Sequence, residues 1–306
     1  MDALASLLDC PRAQGAFLLR TIFEPPWAVR IADRAPLSLV TVVSGHATHH
    51  DFRLEKGDAA ILRGPDPYVV GDDPATPIQA VIHPGQRCTT PDGRDLHEQM
   101  SLGVRSWGNN PYGSTILLVG TYTMAGAASQ RLLSALPPAL FVSHTDWDSR
   151  LIGLLDDEIV LDRPGQEVML DRLLDLLLVA VLRGWFSRPG SVLRGLGWLS
   201  AQTDPIVGPA LRLLHEDPAR PWTVAGLAAQ TGASRAFLAR RFTELVGEPP
   251  MAYLTGWRLA LAADLLREPA ATIGSVARKV GYGSSFALST AFKRVRGITP
   301  REHRSA

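Results

Sequence analysis

The spacing of apolar and polar positions changes once along the chain. In its first part, short apolar and often β-branched runs at 37–43, 59–62, 78–82 and 115–121 alternate with the turn signals Gly57-Asp58, Gly64-Pro65 and Pro91-Asp92-Gly93. Many short strands with close turns predict a small β-barrel or sandwich. The period then lengthens to that of a helix, over 149–161 and again over 167–186, where Leu173, Leu174, Leu177, Leu178, Val181 and Leu182 recur at helical spacing. A face that wide must pack on the barrel or on a second subunit. The expectation is a homodimer held by the helices in 149–186. Arg188-Pro189-Gly190 ends the second helix, and Gly195, Gly197 and Asp204-Pro205 predict an irregular linker over 191–204.

The last third contains an internal repeat. In Val224-Ala-Gly-Leu-Ala-Ala-Gln-Thr-Gly232 and Ile273-Gly-Ser-Val-Ala-Arg-Lys-Val-Gly281, apolar residues occupy the first, fourth and fifth positions and glycine the ninth. Each copy predicts a short helix closed by a left-handed glycine, an N-capping serine (Ser234 or Ser284) and a second helix. The predicted buried faces of those second helices are Leu238, Phe242 and Leu245, then Leu288, Phe292 and Val295. Helix, glycine turn, helix is the pattern of a helix-turn-helix unit, here made twice, over 223–247 and 272–297. Between the copies, 251–267 predicts one longer helix that holds the two at a fixed separation.

From about 205 to 304 the chain resembles the DNA-binding domain of the AraC/XylS family. The resemblance is strongest in Ile273-Gly-Ser-Val-Ala-Arg-Lys-Val-Gly-Tyr-Gly-Ser-Ser-Phe286 and in Ala291-Phe-Lys-Arg-Val-Arg-Gly-Ile-Thr-Pro-Arg-Glu-His-Arg304. It departs from the family pattern at Ala287-Leu288, and its second recognition helix is poor in long polar side chains. Residues 1–190 are similar to the cupin-like sensor domain carried by some members. That similarity rests on Gly57-Asp58-Ala-Ala-Ile-Leu-Arg-Gly64, the Gly120-Thr-Tyr122 strand and Leu132-Leu-Ser-Ala-Leu-Pro-Pro-Ala-Leu140. Together they imply a two-domain α+β protein: a cupin-like barrel with following helices over 1–190, a linker over 191–204 and an all-α DNA-binding domain over 205–306. The implied function is sequence-specific transcription regulation controlled by a small-molecule, redox or metal signal.

Charge agrees with this division. Residues 201–306 hold 14 Lys or Arg against 8 Asp or Glu, a balance of +6, whereas the 306-residue chain as a whole stands at +1, which leaves −5 for residues 1–200. A basic module beside an acidic one suits a polyanion-binding part joined to a part that binds something else. The first twelve residues carry Asp2 and Asp9 where a signal peptide would be basic, no apolar run is long enough to cross a membrane, and two cysteines are too few for a disulfide framework. A cytoplasmic protein is expected.

With the apolar faces turned inward, the first recognition helix presents Arg235, Ala236, Ala239, Arg240 and Thr243 to double-stranded DNA. The second presents Ser285, Phe286, Ala287, Ser289, Thr290 and Lys293, and Arg294, Arg296, Arg301 and Arg304 are phosphate anchors. RNA polymerase is a partner if the outcome is activation. No cofactor is expected.

The alternative is a cupin-type metalloenzyme fused to a helical domain; a sequence-independent, chromosome-organising protein is a further rival that would be far more basic. Enzymatic cupins hold a metal through a His-x-His pair and a glutamate. Here the histidine cluster is His46, His49 and His50, and if Phe52 and Leu54 point inward, so do His46 and His50, with His49 outward. His83, Cys88 and His97 form a second candidate set for metal or effector, and Cys88 with Cys10 a redox pair.

Overall fold

The computed structural model describes residues 17–122, 126–187 and 198–305. Cys10 and the first half of the expected linker, 191–197, lie outside them. The chain divides into two compact units, one containing 12–124 and 136–189, the other containing 125–135 and 190–306.

The first unit is built on two sheets. Its strands are β1 (Phe17–Phe23), β2 (Ala28–Ile31), β3 (Leu37–Ser44), β4 (His46–His49), β5 (Phe52–Glu55), β6 (Ala59–Arg63) and β7 (Tyr68–Gly71), followed by β8 (Ala80–Ile82), β9 (Cys88–Thr89), β10 (Ser101–Gly103), β11 (Ser106–Gly108), β12 (Thr115–Tyr122) and β13 (Ala139–Val142). One sheet runs β10-β11-β1-β12-β3-β6-β13 and the other β5-β4-β7-β2-β8-β9. All six β3 positions from Leu37 to Val42 are buried, as expected of a strand covered on both faces. The barrel core gathers Phe23, Trp27, Val40, Val42, Leu62, Val70, Trp107 and Leu117, with Phe23 stacked on Trp27 at 4.4 Å and Trp107 edge-on to Phe23.

Two helices of this unit follow β13: α2 (Arg150–Ile159) and α3 (Gln166–Phe186), the label α1 being kept for the earlier Ala127–Ala135. Leu174 of α3 packs onto Gly120 of β12 so closely that a Cβ there would lie 2.5 Å from Leu174 Cδ1, and the Tyr122 hydroxyl donates to the Leu174 carbonyl at 2.8 Å. Leu170, Leu174, Leu177, Leu178, Val181, Leu182 and Trp185 are all buried. The apolar face expected to hold a homodimer is therefore covered within the chain itself. Val168, Met169 and Leu176 remain about half exposed, and with half-buried Leu173 they form a separate stripe at helical spacing.

The histidine phase also differs from expectation. Strand β4 ends at His49, and His50-Asp51 turns the chain into β5, His50 adopting φ +50°. The alternation restarts across that turn, so His49 is buried, with Nδ1 2.8 Å from the Val69 carbonyl oxygen, while Phe52 is 54% exposed against Phe141. Burial pushes the His49 pKa down.

The second unit holds α1, then α4 (Val207–Glu216), α5 (Val224–Gln230), α6 (Arg235–Val246), α7 (Pro250–Leu265), α8 (Ile273–Lys279), α9 (Ser285–Arg296) and α10 (Pro300–Ser305). Although α1 lies in sequence between barrel strands β12 and β13, it packs on α7 in this unit. Leu214, His215, Phe242, Tyr253 and Trp257 are buried, with His215 stacked on Trp257 at 4.4 Å. Val276, Ala277, Leu288 and Phe292 form a second core with Leu259, Ala262, Ala263 and Leu266. Ala291 joins this core, whereas Val295, expected inside, is 55% exposed: the buried stripe of α9 runs through Leu288, Ala291 and Phe292 and stops a turn before the helix end.

Candidate functional site

In both repeats the caps and glycine turns form as the spacing predicts. Thr223 and Thr272 cap the first helices, accepting the amides of Gly226 and Ser275, and Ser275 completes a capping box with Thr272. Gly232 and Gly281 turn at φ +66° and +83°. At Gly281 the need is double, since a Cβ would also meet the Ala219 carbonyl oxygen at 2.6 Å. Ser234 and Ser284 then cap α6 and α9 by accepting the amides of Phe237 and Ala287. Ala228 and Ala277, both buried, allow the close helix crossing in each unit.

The side chains expected at DNA lie on the open faces. Arg235, Ala236, Arg240 and Thr243 of α6 are exposed and Ala239 is partly so; Ser285, Phe286, Ala287, Thr290, Lys293 and Arg294 of α9 are exposed and Ser289 partly so. The guanidinium of Arg240 lies over the Phe237 ring at 5.8 Å. Arg241 is different. It bridges Asp204 at 3.0 Å and Glu244 at 3.3 Å, and Asp204 in turn accepts the amides of Ile206 and Val207 at the start of α4. These contacts hold the Arg241 pKa up and fix the residue as a brace between α6 and α4.

The barrel contains a cavity of about 50 Å³ that spacing arguments did not reveal, because its walls come from seven strands and their loops. Phe23, Trp27, Val70, Trp107 and Leu117 line it, with Tyr68, Asp33 and Gln86 supplying polar groups. Thr21 and Trp27 also line it, and their Oγ1 and Nε1 are buried without a hydrogen-bond partner among the described residues. Arg34, next to Asp33, and Gln86 hold left-handed backbone at φ +62° and +63°, conformations that cost energy in non-glycine residues and cluster at binding sites.

The second candidate set does not assemble. Cys88 is buried in the barrel core, and burial, aided by the nearby charge of Asp95, pushes its thiol up to about 11. His83 Nε2 is 2.9 Å from Thr89 Oγ1, and His97 is exposed on a one-turn helix. Among the described residues no group of three His, Cys, Asp or Glu is placed to hold a metal ion. Cys88 pairs with Ile82 across the β8–β9 ladder and belongs to the apolar core.

Comparison with known proteins decides the family. Residues 2–187 match a cupin family model and residues 227–306 a helix-turn-helix domain model. An AraC-like transcription regulator of Streptomyces lividans is 36% identical over 315 residues, covering 99% of this chain and 98% of the relative. The chain belongs to the AraC-like transcription regulators. Another AraC-like regulator, from Streptomyces antibioticus, is 39% identical over 217 residues, 70% of each chain, and the regulator AlkR of Acinetobacter baylyi is 35% identical over 318 residues, 99% of each. As an AraC-like regulator with a cupin domain, the protein is a DNA-binding transcription factor and not an enzyme. No helix among the described residues is long and apolar enough to cross a membrane.

Proposed function

We propose that this regulator reads specific DNA through α6 and α9 placed in successive major grooves on one side of the duplex, and that a small molecule bound in the barrel cavity controls that reading. The observation that carries the DNA part is the pairing of two capped helix-turn-helix units by a single 16-residue helix, α7. At ~1.5 Å per residue it spans roughly 24 Å and fixes the units relative to one another. Arg235 and Arg240 are suited to bidentate bonds with guanine, Ala236 and Ala239 to thymine methyls, and Thr243, Ser285, Ser289, Thr290, Lys293 and Arg294 to phosphates and groove shape. The regulator acts where the chromosome is, in the cytoplasm.

The sensing part rests on the cavity, not on His83, Cys88 or His97. Its aromatic walls and its few convergent polar groups are the composition of a ligand pocket. The regulator works as a homodimer whose interface is the outward stripe of Val168, Met169, Leu173 and Leu176, since doubling the reader raises site affinity through effective concentration. Selection of bound fragments from random duplexes by the full chain tests the DNA part directly. Recovery of one recurrent motif with two half-sites supports it; recovery of no motif refutes it.

A further inference from the structure

The two recognition helices offer different chemistry at matched positions. Their serine caps accept the amide three residues on in the same way, which aligns Arg235 with Ser285, Ala236 with Phe286 and Arg240 with Thr290. The buried positions agree with this register, since Leu238, Leu288, Phe242 and Phe292 are all fully buried. Where α6 carries two guanidinium groups, α9 carries hydroxyls. Where α6 carries a methyl at its second residue, α9 carries a benzyl group.

That benzyl group is open to solvent. Phe286 is 80% exposed, against 41% for Phe237, which lies beneath Arg240, and 54% for Phe52, which stacks on Phe141. Among the described residues Phe286 has no aromatic or cationic neighbour of that kind. An isolated ring held in water forgoes the favourable free energy of burial. Its neighbours Ser285 and Ala287 are short, and the Ser289 hydroxyl already donates to the Ser285 carbonyl at 2.8 Å, which leaves the ring the longest-reaching group in the first turn of α9.

We infer that Phe286 is the base-reading residue of the second unit and that it recognises thymine by apolar contact with the C5-methyl group in the major groove. The inference rests on the proposed placement of α9 in that groove and names what it reads there. The N-terminal turn of a recognition helix is the part that reaches base edges. A phenyl ring neither donates nor accepts a conventional hydrogen bond, and of the groups displayed in the major groove only the thymine methyl is apolar. The first unit thus reads by guanidinium and the second by shape and methyl contact.

The test uses the full chain and an operator recovered from random duplexes, in which each thymine is replaced singly by deoxyuridine, a change that removes the methyl alone. Burial of one methyl corresponds to about a fourfold change in affinity. The wild type should lose about that much at one or two positions of the second half-site. Those positions should be silent in Phe286→Ala, partly retained in Phe286→Leu and fully retained in Arg240→Ala. Because Phe286 is exposed, the variants should fold, and circular dichroism verifies it. If deoxyuridine is silent everywhere while the wild type still prefers its operator, or if Phe286→Ala keeps the wild-type sensitivity, the inference is overturned and the DNA reading stands. If the wild type prefers no duplex, the DNA reading fails and takes this inference with it.

Discussion

Asp264, in the last turn of α7, caps α1 at Ala127: its Oδ1 accepts the Ala127 amide at 2.6 Å, and its Oδ2 accepts that of Ala128 at 3.0 Å. The first amides of a helix have no partner of their own, and a carboxylate also favours the positive end of the helix dipole. Here the cap comes from a residue more than a hundred positions away, and Arg131 of α1 answers it by bonding Glu248 at 3.3 Å and lying over the Tyr253 ring at 4.9 Å. Replacing Asp264 with alanine should cost about 1 kcal/mol, the usual effect of losing a cap. Hydrogen exchange at Ala127 and Ala128 should quicken in the variant; unchanged protection there would show that the cap does not hold α1.

His215 makes the second unit sensitive to acid. Burial, with a contribution from the Arg131 charge, pushes its pKa from the ordinary 6.5 to about 3, and its Nε2 is 2.7 Å from the Tyr253 hydroxyl oxygen. The unfolded chain takes up a proton at His215 below about pH 6.5, whereas the folded chain does not until about pH 3. The stability that the neutral ring contributes above pH 6.5 is therefore lost progressively as pH falls through this window, by up to ~1.4 kcal/mol per pH unit. Urea unfolding of the full chain at pH 7 and pH 5 should show a larger fall in the wild type than in His215→Gln. Equal falls in the two proteins would contradict the assignment.

The repeat was legible because its determinants are local: a capping hydroxyl, a left-handed glycine and an apolar stripe each act within one turn. The open faces of α6 and α9 followed directly. Val295 was misplaced because helical spacing cannot tell where a neighbouring core ends. His49 was misplaced because a strand phase does not survive the His50-Asp51 turn. The cavity, the cap from Asp264 to Ala127 and the covering of α3 by the barrel depend on residues far apart in sequence, and no spacing within one segment encodes them.

Arg240 and Arg301 should fail differently. Arg240 stands on the open face of α6 while Arg301 is exposed at the start of α10, beyond the second recognition helix. Arg240→Ala should cost ~1 to 3 kcal/mol on the selected operator and relax base preference, and Arg301→Ala should weaken all sequences evenly. Affinities on operator and random duplexes measure both; parallel losses on the two DNAs for both variants would remove the distinction.

The dimer interface is separable from the core of α3. Charged substitutions at Met169 and Leu176, each about half exposed, should yield a monomer that still unfolds cooperatively, whereas glutamate at the fully buried Leu177 should destabilise the unit itself. Light scattering at micromolar concentration distinguishes these results. A dimer that survives both surface changes moves the interface elsewhere.

Cys88 should be slow to react. A buried thiol with its pKa pushed up to about 11 carries little thiolate near neutrality, and the thiolate is the reactive form. Alkylation of the folded chain at pH 7.5 should lag far behind that of the urea-unfolded chain, and Cys88→Ser should leave any oxidant response unchanged. Rapid labelling in the folded state would restore the redox reading of this residue.

If α7 holds the two readers in one fixed register, binding must depend on the spacing of the DNA half-sites. Two helices entering successive major grooves require half-sites about 10 base pairs apart on one face of the duplex. Inserting five base pairs between the half-sites of the selected operator turns the second to the opposite face. Binding by the full chain should then fall to the level of a single half-site, and ten inserted base pairs should not restore it, because the helix cannot stretch. Unchanged affinity after the five-base-pair insertion would contradict the fixed register.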